Sequence, residues 1–245
     1  MPDKTIPIPT VGNADEGSQR EHLAAYFITA APYEEQTTAQ RIEYCQKLRE
    51  LGELENREVL QAAGSSRVLV WGNPASHLQH LLTATQYLAA GLGYPLLLFP
   101  AKDTIINFHT LLHPRLLSLA AVNLLRAACA AAPKEPIWVR LQEQDACLTI
   151  TVTAGAPFDE ARALAVAKEC ARLHGGSLAQ CDNTIGFSCS RTNVPPTDAR
   201  HYRCSTAEEF LRDTLSPVWT GLYGWLYSSS SASLSDINSG SIDGL

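Results

Sequence analysis

Histidines and cysteines are the residues of this chain most able to bind a metal or attack a substrate. His77 and His80 stand one helical turn apart in "NPASHLQHLL", a spacing that can turn both rings toward one ion. No carboxylate accompanies them as in an H-E-x-x-H motif, so packing or surface roles are expected. The seven cysteines, Cys45, Cys129, Cys147, Cys170, Cys181, Cys189 and Cys204, are odd in number and form no C-x-x-C pair. Zinc sites use closely spaced ligands, so these read as thiols of a reducing compartment, and no metal site is expected. There is no G-x-S-x-G, no P-loop, and no pair of carboxylates in a setting that would split their pKa values. What remains is "AAVNLLRAAC", where Asn123 and Arg126 interrupt an apolar, small-residue run. An amide inside such a run must find hydrogen-bond partners or reach solvent.

Composition narrows the field. The formal charge is −6 with both signs scattered, and no Lys/Arg block or aromatic–basic interleaving occurs. Nucleic acid and anionic membrane surfaces are therefore not expected as partners. Hydrophobic residues make up 45% of 245 positions, enough for a real core in one large domain or two modest ones. The start, "MPDKTIPIPT", lacks a basic region followed by an apolar one, and no stretch reaches the roughly 20 apolar residues of a membrane span. A cytoplasmic location is the expectation.

The elements that must position Asn123 follow from periodicity. Residues 1–17 read as a flexible lead and 18–63 as a helical hairpin. Its second helix, about Thr37 to Ala63, repeats Ile42, Cys45, Leu48, Leu51, Leu54 and Leu60 at helical spacings. Glu50, Glu53, Glu55 and Arg57 between them read as a solvated face. "GSS" (64–66) is a turn and "RVLVWG" a short strand. Asn73 and Pro74 suit the N-cap and first residue of a helix to about Ala90. Leu96–Phe99 is expected to pair antiparallel with "TIINFHT". A helix from about His113 to Ala132 carries the opening stretch. Ile137–Gln142 and Cys147–Thr153 are alternating strands, "FDEARALAVAKECARLHGG" is a helix capped by Asp159, and "SLAQCDN"/"TIGFSCS" a final hairpin. The order from Arg67 is β, α, β, β, α, β, β, α, β, β. It predicts an α+β two-layer sandwich, with helices on one face of a mixed, mostly antiparallel sheet, over 64–192. A linker (193–204) leads to a helix opened by a Ser205/Glu208 capping box and an aromatic segment (205–227), expected to bury against the sandwich. Residues 228–245 form a Ser-rich tail expected to be disordered.

The segment Leu116–Arg191 resembles the ATP-binding domain of sensor histidine kinases, whose superfamily includes Hsp90, type II topoisomerases and MutL. "HPRLLSLAAVNLLRAAC" resembles the family's N-box helix, which ends "N-L-L-x-N-A". "LTITVTAGAPF" occupies the place of its "V-x-D-x-G-x-G" box, and "ARLHGGSLAQCDNTIGFSCS" its closing His-Gly-Gly and strand pair. The helix from Pro74 and the strands near Leu96–Phe99 and Ile105–Phe108 fall where that domain has them. The resemblance covers about half the chain, and the hairpin lies where such kinases carry dimerisation and phosphoacceptor helices.

The resemblance places Asn123, Gly155, His174, Gly175 and Gly176 at positions of the family's nucleotide site. The family's Mg²⁺-binding asparagine, however, falls on Ala127, and its adenine-reading aspartate on Ala154. A methyl group coordinates nothing. Ala156 and Phe158 stand where glycines are expected, and the second glycine-rich segment is missing. His22 is the one histidine in the first helix, but Leu23 follows it where the family's phosphoacceptor has an acid. The resemblance thus implies a two-component signalling protein of histidine-kinase type that has lost ATP, a pseudokinase acting as scaffold or regulatory partner. Its partners would be a second copy of itself, a related histidine kinase or a response regulator, and no cofactor is expected. The alternatives are an active ATP- and Mg²⁺-dependent protein-histidine kinase with divergent motifs, or a sandwich that binds another small ligand.

Overall fold

The computed structural model describes residues 14–63, 68–99, 108–144, 146–192, 197 and 200–227. The turn expected at 64–66, the strand residues 104–107, the tail 228–245 and most of the lead lie outside them. Helix α1 (Ala14–Thr29) and helix α2 (Thr38–Gln61) form the hairpin, joined through a 3₁₀ turn at Tyr33–Glu35. Thr37 caps α2: its side chain accepts from the Gln40 backbone, and the Gln40 side chain accepts from the Thr37 N–H in return. Strand β1 (Val70–Gly72), helix α3 (Pro74–Gly91), strands β2 (Leu96–Phe99) and β3 (Thr110–Leu112) and helix α4 (Pro114–Ala131) follow. Then come β4 (Ile137–Gln144), β5 (Cys147–Thr153), α5 (Ala161–Leu173), β6 (Leu178–Cys181) and β7 (Thr184–Ser190). Helix α6 (Ala207–Arg212) and a π-type stretch, Val218–Tyr223, end the described chain, with helical turns over 224–227.

The main sheet has the order β2-β4-β5-β7-β6. Ile137, Val139 and Leu141, Leu148, Ile150 and Val152, and Ile185, Phe187 and Cys189 alternate onto its inner face and are buried beneath α3, α4 and α5. The threonines of β5 share the opposite face, as their period of two requires. The α+β sandwich and its element order are those read from the sequence. The partner expected for Leu96–Phe99, "TIINFHT", lies mostly outside the described residues. β2 runs parallel to β4, with Leu96 opposite Ile137, whereas β3 pairs antiparallel with β1, Val70 opposite Leu112, in a separate two-stranded sheet.

Other local corrections have clear causes. Asp159 does not cap α5; Glu160 holds the N-cap position, makes no side-chain cap, and gives its carboxylate to Arg126. The capping box of α6 is Thr206 with Glu209, one residue beyond the predicted pair. α4 is long and apolar enough to cross a membrane, but most of it is buried inside the sandwich.

Onto the outer side of α4 and α5 are laid α2 and the 218–227 segment, which packs between α2 and α4. Glycine makes this close approach possible. A Cβ on Gly52 of α2 would collide with the Thr220 carbonyl, one on Gly221 would meet Val122 of α4, and one on Gly224 would press the α2 backbone at Cys45 and Arg49. Gly52→Ala is therefore expected to destabilise the protein by about 1–3 kcal/mol. Gly91→Ala, where nothing lies within 4 Å, should change stability little. Urea midpoints of the two variants check the contrast.

Candidate functional site

Asn123 sits in the middle of α4 at 1% exposure. Its amide does not face a cleft. Asn123 Nδ2 donates to Asn56 Oδ1 of α2 (2.9 Å) and to the Leu119 carbonyl (2.8 Å), while Asn56 Nδ2 donates back to Asn123 Oδ1 (3.1 Å). The two amides satisfy each other in a reciprocal pair, which answers the requirement for partners in an apolar run.

Arg126, one turn on, is equally buried. Its Nη1 donates to Glu53 of α2 (2.6 Å), and its Nε and Nη2 donate to the two Glu160 oxygens (3.1 and 2.7 Å). The guanidinium lies 5.9 Å from the ring centroid of Trp225. Toward the start of α4, Glu55 accepts from Arg115 and from the Thr220 hydroxyl. Burial raises the Glu55 pKa, and the Arg115 charge opposes that rise. Of the face of α2 expected to be solvated, Glu50 is exposed, but Glu53 and Arg57 are half-buried and Glu55, beside the buried Asn56, is buried, because α4 and the C-terminal segment dock there.

The remaining predicted positions are accounted for by packing. Ala127 and Ala154 are buried at 0% and 1%. The Ala154 carbonyl accepts from the Asn183 side chain (2.8 Å), and the Ala154 N–H donates to the Asn183 carbonyl. Phe158 is buried in the same core. A Cβ on Gly155 would collide with the Glu135 carboxylate, in the turn after α4. His174 donates from Nδ1 to the Cys170 carbonyl (2.6 Å) and accepts at Nε2 from the His113 backbone N–H (3.0 Å), tying the end of α5 to the start of α4. Burial lowers its pKa, the Cys170 bond opposing. Gly175 takes a left-handed φ of 65°, and Gly176 has no room for a Cβ against the Ser188 carbonyl. His22 is exposed on α1. Among the described residues no three His, Cys, Asp or Glu side chains come together as a metal would need. Burial pushes the Cys45, Cys129 and Cys189 thiols up to about 12, so they stay protonated and inert.

Asn56 is the residue that the sequence reading missed. Its signal was its place on the stripe of Leu48, Gly52 and Val59, at helical spacings. A second polar centre joins α3 to α4. His77 is sandwiched between the Tyr202 hydroxyl at Nδ1 (2.9 Å) and Ser118 Oγ at Nε2 (2.7 Å), with Phe210 edge-on to its ring. Tyr202 also donates its backbone N–H to the Trp71 carbonyl, so His77 fastens the returning chain to β1 and α4.

No family model and no curated protein matches the chain. Solved structures do. The Acinetobacter baumannii histidine kinase AdeS matches over 73% of this chain and 96% of its own, at 10% identity and a TM-score of 0.49. The catalytic domain of histidine kinase ThkA matches over 50% of this chain and 97% of its own, at 9% identity and a TM-score of 0.41. The ATP-binding domain of PrrB from Mycobacterium tuberculosis is matched in full by 52% of this chain, at 18% identity and a TM-score of 0.41.

Burial pushes the His77 pKa down from 6.5 to about 4, against the Pro114 backbone hydrogen bond. Between those values the unfolded chain binds more protons than the folded one, so stability falls as pH is lowered from about 7 toward 4. The slope attributable to His77 reaches about 1.4 kcal/mol per pH unit. Urea midpoints from pH 7 to 4 should show that slope in the parent and lose it in His77→Gln; equal slopes would contradict it.

Proposed function

We propose that this chain is a histidine-kinase-like protein of two-component signalling, a cytoplasmic pseudokinase without ATP chemistry. It acts as a scaffold or regulatory partner for a related histidine kinase, a response regulator or a second copy of itself. The motif order from "NLLRAA" to "HGG" supports the kinase-like part. The observation that carries the loss of ATP is the state of α4. Ala127, at the place of the family's metal ligand, is wholly buried, and Asn123 beside it is consumed by the amide pair with Asn56.

A magnesium nucleotide needs a carboxylate or amide ligand for the ion and backbone that can approach the phosphates. Here the corresponding positions are Ala127, Ala154 and Phe158, all buried in the core. Packing explains why the fold persists without the ligand, since core complementarity constrains these positions independently of chemistry.

Mg-ATP and a non-hydrolysable analogue should leave the melting temperature unchanged at millimolar concentration. A nucleotide at 100 times its Kd would add about 2.7 kcal/mol, a shift of several degrees, and such a shift would overturn the pseudokinase reading.

A further inference from the structure

We propose that the groove between the hairpin turn and α6 binds a small, weakly hydrated organic cation of the quaternary-ammonium type. The groove has a volume of about 470 Å³, and Phe27, Tyr33, Tyr44 and Trp219 contribute to its walls, with Glu34 and Glu208 beside them. These walls come from four separate parts of the chain: α1, the 3₁₀ turn, α2 and the C-terminal segment. The rings form one contiguous cluster. Phe27 and Tyr44 meet edge to face at 5.1 Å, Tyr33 lies 5.9 Å from Tyr44, and Trp219 lies 5.7 Å from Tyr33.

The rings are held in place from behind. Trp219 donates to the Leu211 carbonyl (3.0 Å) and the Tyr33 and Tyr223 hydroxyls share a hydrogen bond (2.9 Å). Their polar atoms are thereby occupied. Aromatic rings attract cations over their faces, and this cluster already does so: the Arg41 guanidinium lies 5.1 Å from the Tyr33 centroid, anchored by the Tyr33 and Glu34 carbonyls. Arg41 is not one of the groove's walls.

Charge selects the ligand further. Glu34 is exposed and makes no ion pair among the described residues. Glu208 pairs with Arg212 (2.5 Å), both largely exposed, so that pair contributes little and can open. Counting Glu34, Glu208 and Arg212, all at the groove, its walls carry one net negative charge. The carboxylates are exposed while Tyr44 and Trp219 are buried. A primary ammonium would need acceptors at depth to replace its water, and a methylated ammonium would not. Volumes of roughly 300–1,000 Å³ suit small ligands.

The proposal is independent of the pseudokinase reading and is tested by calorimetric titration of the full chain with choline and with its uncharged carbon isostere, 3,3-dimethylbutan-1-ol. Choline should bind at a single site, roughly ten-fold more tightly than the isostere, the difference a cation–π contribution of about 1–2 kcal/mol implies. Glu34→Gln, at an exposed position, should weaken choline several-fold with the melting temperature unchanged, and Phe27→Leu should weaken it by about two- to five-fold. Equal binding of the isostere, no choline binding up to 100-fold above a millimolar Kd (about 100 mM), or wild-type affinity in both variants would overturn the proposal.

Discussion

A buried amide left without a partner costs about 1–3 kcal/mol, and a buried charge costs more. α4 carries both kinds of group on one face, so the rest of the structure has to answer them. Asn56 meets Asn123, and Glu53 and Glu160 meet Arg126. Each partner lies on another element, and two of the three lie on α2. The hairpin is thereby fixed in register on the sandwich, because a slip of one residue along α2 would strand the amide and the guanidinium together. Such polar contacts add little net stability over well-packed apolar ones. The geometry that they demand, with glycines at 52, 221 and 224 letting backbones touch, is what brings α2 and the 218–227 segment onto α4.

That register has a chemical consequence. The face of α4 that bears the histidine-kinase-like motif is an internal packing surface here. The residues aligned with that motif have structural partners: Asn123 in the hairpin, His174 at the entry to α4, Gly175 in a left-handed turn and Gly176 against β7. Ala127 and Ala154 place their methyl groups in the core. Chemistry and packing point the same way.

Much of this was legible in the residues. The element order, the N-cap of α3 at Asn73 and the alternation of β5 all follow from local signals that tertiary structure did not override. The partner of β2 was not legible, because a short apolar strand carries no label for its neighbour and the pairing spans some forty residues. Nor was the burial of Glu55 and Asn56. Charges at helical spacing read as solvated unless a complementary cation is known to lie opposite, and Arg115 and Arg126 are distant in sequence. The caps of α5 and α6 lie one residue from those read, since Ser205 is as competent as Thr206 and the Glu160 carboxylate at the start of α5 is drawn to Arg126.

The central claim is that α2 closes the motif-bearing face of α4. Native-state amide hydrogen exchange tests it directly, by comparing residues 48–59 of α2 with residues 119–128 of α4. If the polar register holds the two helices together, both sets exchange through the same global opening, with free energies that coincide across denaturant and are unmoved by Mg-ATP. Exchange of the α2 amides through a separate opening several kcal/mol below that of α4, or protection of α4 that rises with nucleotide, would contradict the account.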